Sequence, residues 1–234
     1  MPNRLTNVLI ELKNHAPFTL LGALTGIILM VLFRNVEHQT SYKLFYTFHP
    51  VHVVLSAMVT ASLFRLHAKA KKFIIVLIIG YVGAIGTATL SDSVIPYFGE
   101  EILGVAVPSE AAVHGHNLSD SSPKDEGDSH SKDLHLGFIE EWYLVNPSAL
   151  LGIFIAYFLP RTKFPHAMHI LISTWASSAH IMMNTHQEMT AALAAGILIV
   201  LFISVWLPCC FSDIVFPMLF VGTEEGHTLC NPHH

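Results

Sequence analysis

The sequence predicts an all-α integral membrane protein of six transmembrane helices, built as two inverted three-helix repeats, each preceded by an amphipathic surface helix. Three observations carry this prediction. Of 234 residues, 52% are hydrophobic and only 12% charged, against roughly 25% charged in soluble domains. Apolar runs cover residues 17–33, 51–64, 73–90, 148–159, 167–183 and 191–207, and with their flanks most approach the roughly 17 to 25 residues a spanning helix needs. Finally, three patterns recur in the same order. Pro17-Phe18-Thr19-Leu20-Leu21-Gly22 returns as Pro147-Ser148-Ala149-Leu150-Leu151-Gly152. His49-Pro50-Val51-His52 returns as His166-Ala167-Met168-His169, and Ser91-Asp92-Ser93-Val94-Ile95-Pro96 returns as Ser212-Asp213-Ile214-Val215-Phe216-Pro217.

The first repeat, residues 1–98, opens with Leu5, Val8, Leu9 and Leu12 at helical spacing and Arg4, Asn7, Glu11 and Lys13 elsewhere, the pattern of a short helix lying on the bilayer surface. Three spans follow. Because three is odd, the second copy enters from the opposite side, which gives repeats related by a pseudo-twofold axis in the membrane plane. Residues 99–133 form an acidic, histidine-containing extracytoplasmic linker, with Glu110, Asp120, Asp125, Glu126, Asp128 and Asp133 beside His114, His116 and His130. It reads as a solvated tether, or as a weak collector of divalent cations through imidazole and carboxylate. The second repeat, residues 134–221, begins with Phe138, Ile139 and Trp142 as the counterpart surface helix. Its first span, 148–159, reaches spanning length only with Trp142 to Pro147. Residues 222–234 form a cytoplasmic tail.

Positive charge sets the orientation, since short cytoplasmic loops retain Lys and Arg. Arg4, Lys13, Arg65, Lys69, Lys71, Lys72, Arg161 and Lys163 fall on one face of a six-span topology, against Arg34, Lys43, Lys124 and Lys132 on the other. Both termini are therefore expected in the cytoplasm, the 99–141 loop outside it, and the protein in the plasma (inner) membrane. The apolar run at 17–33 ends in Phe33-Arg34 without a small-residue cleavage site, so the first span is expected to stay. Cys209, Cys210 and Cys230 lie at or near the cytoplasmic face, where thiols remain reduced, and predict no disulfide framework.

Residues three or four apart share a helix face, so His49, His52, Ser56 and Thr60 draw a polar stripe down the second span. The fifth span repeats it as His166, His169, Ser173, Ser177 and His180, with Asn184 one turn further. His180 aligns with Leu63 and breaks the symmetry. A carboxylate within hydrocarbon costs at least roughly 2.5 kcal/mol and is normally paired, protonated or functional. Asp92 and Asp213 end long apolar runs, each four residues before a proline, which breaks helical pairing. Two corresponding interrupted helices mark an ion or substrate site. Plainer readings exist: the histidines in the headgroup region, Ser-Asp as a helix cap, and the adjacent Cys209-Cys210 as packing residues.

The candidate metal ligands are therefore His49, His52, Asp92, His166, His169, His180 and Asp213. Imidazole suits zinc, iron, copper and nickel, while carboxylate favours manganese or magnesium; zinc, manganese and ferrous iron form the short list. Arg and Lys are absent from the span interiors, which favours cations over anions. The leading expectation is a secondary transporter of a divalent cation, with Asp92, Asp213, His52 and His169 as central ligands. His49, His166 and His180 would be gateway ligands or proton carriers, since histidine titrates near neutral pH. The lipid bilayer, the metal ion, protons as coupling ion and a second copy in a homodimer are the expected partners, with no organic cofactor and no enzymatic activity.

Leu207-Pro208-Cys209-Cys210-Phe211-Ser212-Asp213 and Ser91-Asp92-Ser93-Val94-Ile95-Pro96 resemble stretches of the heavy-metal exporter family, also described as manganese transporters. Those proteins carry Pro-x-Cys-Gly-Phe-Ser and Ser-Asp-x-x-x-Pro; the glycine of the first stretch is Cys210 here. The resemblance covers about a tenth of the chain and implies metal export through the two broken helices.

Two other functions compete. A b-type cytochrome would use His52 with His169 or His180 as axial haem ligands on facing helices, but gives the aspartates no role. A metal-dependent intramembrane hydrolase would hold a catalytic ion and water on His169, His180 and Asp213; no Ser-His-Asp elbow, His-Glu-x-x-His motif or Gly-rich phosphate loop accompanies them. No basic patch with interleaved aromatics supports nucleic-acid binding.

Overall fold

The computed structural model describes residues 4–35, 38–67, 72–104, 142–160, 163–184, 189–216 and 220. Their regular structure is entirely helical: α1 (Arg4–Leu32), α2 (His38–His67), α3 (Phe73–Thr89), a π-helical turn (Leu90–Val94), α4 (Ile95–Ile102), α5 (Trp142–Phe158), α6 (Lys163–Asn184), α7 (Ala191–Cys210) and a second π-helical turn (Phe211–Val215). The linker from 105 and the tail from 221, with His114, His116, His130 and Cys230, lie outside the described residues, as do Phe138 and Ile139.

Four segments are long and apolar enough to cross a membrane: His15–Leu32, Gln39–Leu66, Phe73–Ile102 and Ala191–Cys210. Helix α5 is apolar but has only 17 residues. Helix α6 has 22 residues, but His169, Ser173, Thr174, Ser177, Ser178 and His180 dilute its apolarity, and all six are buried. The distribution of polarity is inverted relative to a water-soluble bundle. Phe18, Leu21 and Ile28 on α1, Ile74, Ile78 and Val82 on α3, and Leu151, Phe154 and Phe158 on α5 are exposed. His49, His52, Asp92 and Glu100 are buried. An apolar surface of this extent around buried ionisable groups is compatible with a lipid surround.

Three local expectations change. The surface helix expected before the first span is continuous with it, because α1 runs unbroken from Arg4 through Pro17 to Leu32. Neighbouring groups hydrogen-bond the backbone around the proline: Trp206 Nε1 donates to the Leu12 carbonyl at 2.9 Å and Thr19 Oγ1 to that of His15 at 3.1 Å, which is how membrane helices tolerate proline. Helix α2 starts at His38, well ahead of the expected residue 51, so His49 and His52 fall near the middle of a 30-residue helix. Both side chains are buried within the helix bundle. Nor does the third span stop at 90. Pro96 lies in the first turn of α4, where a missing amide hydrogen does no harm. It cannot donate to the Asp92 carbonyl, and the Ile95 amide instead reaches back five residues to Leu90. The interruption is thus a widened turn rather than a break. The second turn has the same geometry, the Phe216 amide donating to Phe211.

Helix α2 packs against α6, α5 and α3; α1 packs against α6 and α7; α3 packs against α5, and α4 against α7. Glycine permits two of the closest approaches. A Cβ on Gly22 would sit 2.9 Å from Thr174 Oγ1, and one on Gly152 would press on the Val54 carbonyl and lie 2.8 Å from Ala57 Cβ. Small residues are what let membrane helices approach this closely.

Candidate metal centre

The widened turn at Leu90–Val94 turns Ser91, Asp92 and Ser93 inward, all of them buried. Asp92 lies against the polar stripe of α2. Its Oδ2 accepts from His49 Nδ1 at 2.8 Å and from His52 Nδ1 at 2.6 Å. Its Oδ1 accepts from Ser91 Oγ at 2.7 Å and from Ser173 Oγ of α6 at 3.2 Å. An ionised carboxylate is an acceptor only, so both imidazoles carry their proton on Nδ1. Asp92 is not a helix cap; no side-chain cap bond forms at the start of the π turn or of α4.

A carboxylate on one ring nitrogen fixes the tautomer and leaves the other nitrogen as a metal ligand. His52 Nε2 is buried and has no hydrogen-bond partner. The His169 ring stacks on the His52 ring, with centroids 4.7 Å apart and planes at 22°. Cys209 Sγ, from the end of α7, lies 3.6 Å from His169 Nε2 and 4.0 Å from Ser173 Oγ. Two overlapping groups can hold a metal ion: His49 with His52 and Asp92, and His52 with His169 and Cys209. In each, one ligand atom per residue falls within 4.8 Å of the others.

The remaining candidates occupy the two ends of this cluster. The half-buried His166 ring meets that of His15 from α1 edge-on at 4.5 Å and that of His169 at 6.5 Å. At the other end, His180 Nδ1 lies 3.1 Å from Glu100 Oε1, with both side chains buried. Phe45 separates that pair from the centre, stacked on His49 at 5.1 Å and edge-on to His180 at 5.6 Å. The side chain of Asp213 lies outside the described residues.

The structure thus brings His49, His52, Asp92 and His169 together, sets His166 beside them and places His180 apart. Sequence reasoning missed Cys209, assigned to packing, and Glu100. The second carried a signal: Asp92, Pro96 and Glu100 fall at i, i+4 and i+8 on one helix face. The first carried only a weak one, two adjacent soft donors just before Asp213, because Cys209 meets His169 across two helices. Neither Cys209 nor Cys210 forms a disulfide.

Compared with protein-family models, with curated proteins and with solved structures, the chain matches none.

Proposed function

We propose that the protein is a secondary transporter of a divalent metal cation in the plasma (inner) membrane, with both termini cytoplasmic and six helices forming two inverted repeats around the Asp92 cluster. One observation carries this reading: a fully buried carboxylate on a widened helical turn holds two imidazoles, one of which, His52, stacks on His169 from the other half of the chain. Intramembrane ionisable groups of this kind mark ion pathways.

The inverted repeat draws support from equivalent contacts. His52 and His169 occupy matching positions and stack on each other, as residues flanking a pseudo-twofold axis do. Exchanging α1 with α5, α2 with α6 and α3 with α7 converts the α1–α6 packing into α5–α2, and α1–α7 into α5–α3. Gly22 approaches Thr174 as Gly152 approaches Ala57. The Ser177 hydroxyl donates to the Ser91 carbonyl at 2.9 Å, and Thr60 and Ser212 hydroxyls meet at 3.1 Å. In this reading the ion passes along His15, His166, His169, His52 and His49, and then past Phe45 to His180 and Glu100. Protons travelling the other way are the candidate driving ion. The heavy-metal exporter resemblance agrees with a metal cargo. A haem is disfavoured because touching His52 and His169 rings leave no gap for a porphyrin between them.

Radiolabelled zinc and manganese accumulation in vesicles from cells producing the protein tests the reading. Vesicles with wild-type protein are expected to accumulate at least about tenfold more than those with Asp92→Asn, the outer limit being the 10–100-fold effect of losing an orienting carboxylate. Equal accumulation of every cation by both would reject the assignment.

A further inference from the structure

Resting on the transport reading and deepening it, we infer that the cargo is a thiophilic divalent cation, zinc rather than manganese, held by His52 Nε2, His169 Nε2 and the Cys209 thiolate. Asp92 then stands outside the coordination sphere and aims His52. Both Asp92 oxygens are already engaged, Oδ2 by two imidazoles and Oδ1 by two hydroxyls. Direct ligation by Asp92 would displace those donors and turn both Nδ1 atoms toward the ion. Ligation by His52 Nε2 displaces nothing, because that buried atom has no hydrogen-bond partner.

The thiol fits the geometry. Zn–N bonds of about 2.0–2.1 Å and Zn–S bonds of about 2.3 Å at a tetrahedral angle imply a ligand edge of roughly 3.6 Å, and Cys209 Sγ lies 3.6 Å from His169 Nε2. Thiolate with imidazole selects zinc, whereas manganese and magnesium prefer carboxylate, carbonyl and water. Three protein ligands leave a fourth position open to water or an incoming ligand, as release of a cargo requires. Binding is balanced by one proton, lost from the Cys209 thiol to solvent as the thiolate–metal bond forms. The thiol site has no counterpart in the other half. The first-half counterpart of Cys209 is Ala88, buried and without a ligand atom.

Cobalt(II) titration of the detergent-purified full chain tests this with a readout independent of flux. Wild type and Cys210→Ser are expected to show tetrahedral d–d bands and a thiolate-to-cobalt charge-transfer band in the near ultraviolet. Cys209→Ser and Cys209→Ala, checked for monodispersity and helicity, should lose the charge-transfer band and weaken zinc binding by more than the roughly 10–100-fold expected of an orienting residue. Asp92→Asn should keep the band while weakening binding within that range. A charge-transfer band that survives both Cys209 substitutions, or cobalt bound to wild type without one, overturns the inference. Manganese flux indifferent to Cys209→Ser would overturn it while leaving transport intact. A cobalt thiolate spectrum in a protein that moves no cation would sink the transport reading instead and leave the site standing.

Discussion

Four donors converge on Asp92, and each has a separable consequence. Asp92→Asn keeps the shape of the side chain but removes the charge that holds two Nδ1 protons in place, so His52 can adopt the tautomer that blocks Nε2. Isothermal titration with zinc should show affinity lowered by about 10–100-fold, with helicity unchanged. Ser173→Ala removes one of the two donors to Oδ1 and leaves both imidazoles bound; its loss of affinity should be smaller than that of Asp92→Asn in the same titration. Glu100 makes a different prediction. It lies at the far end from His15, so Glu100→Gln should lower the rate of flux while leaving equilibrium zinc affinity at wild-type value. The His-x-x-His copies are legible in the sequence because helical periodicity alone puts both rings on one face. Cys209 is only weakly legible, as one of two adjacent soft donors, because its significance comes from His169 on another helix. Glu100 falls in the linker expected from residue 99, but α4 runs on to Ile102 and Gly99 rests on Val200 of α7, which draws the end of α4 into the bundle.

At the level of helices, the widened turns decide where the aspartate points. Pro96 removes the amide that would pair with the Asp92 carbonyl, and the Ile95 amide takes the Leu90 carbonyl instead. Pro96→Ala restores the donor and permits a regular helix, which would rotate Asp92 relative to α2. Zinc binding should fall as far as in Asp92→Asn while circular dichroism stays constant; unchanged binding would mean the turn is set by packing rather than by proline. Close approach is testable in the same way. Gly152→Ala forces a methyl into Val54 and Ala57 of α2, and overpacking of this kind costs about 1–3 kcal/mol. Unfolding in sodium dodecyl sulfate should register that loss. The six apolar runs located the helices, but not their ends: α1 and α2 extend beyond the hydrophobic window, and the third span continues past α3 through the widened turn and α4 to Ile102. Helix length follows backbone pairing and neighbours, whereas hydropathy sees only side chains.

For the molecule as a whole, the apolar exterior follows from composition, and the contacts that match between the two proposed repeats agree with the recurring motifs. The aligned motifs also show one place where the halves differ, His180 against Leu63, but not what either position touches. In the proposed repeat Cys209 corresponds to Ala88 and His180 to Leu63, so the thiol and the outer imidazole belong to one half only. In the proposed topology, single cysteines replacing Lys72 and Gly104 should react with an impermeant maleimide from opposite sides of the membrane. Labelling of both from one side would contradict the orientation.

The most direct measurement is zinc flux into sealed proteoliposomes that contain the purified protein and an internal zinc indicator, with Asp92→Asn reconstituted at equal density. The proposed transport predicts saturable flux in wild type that falls at least about tenfold in the variant. Sealed wild-type proteoliposomes that pass neither zinc nor manganese above the empty-liposome rate would contradict transport through the Asp92 cluster.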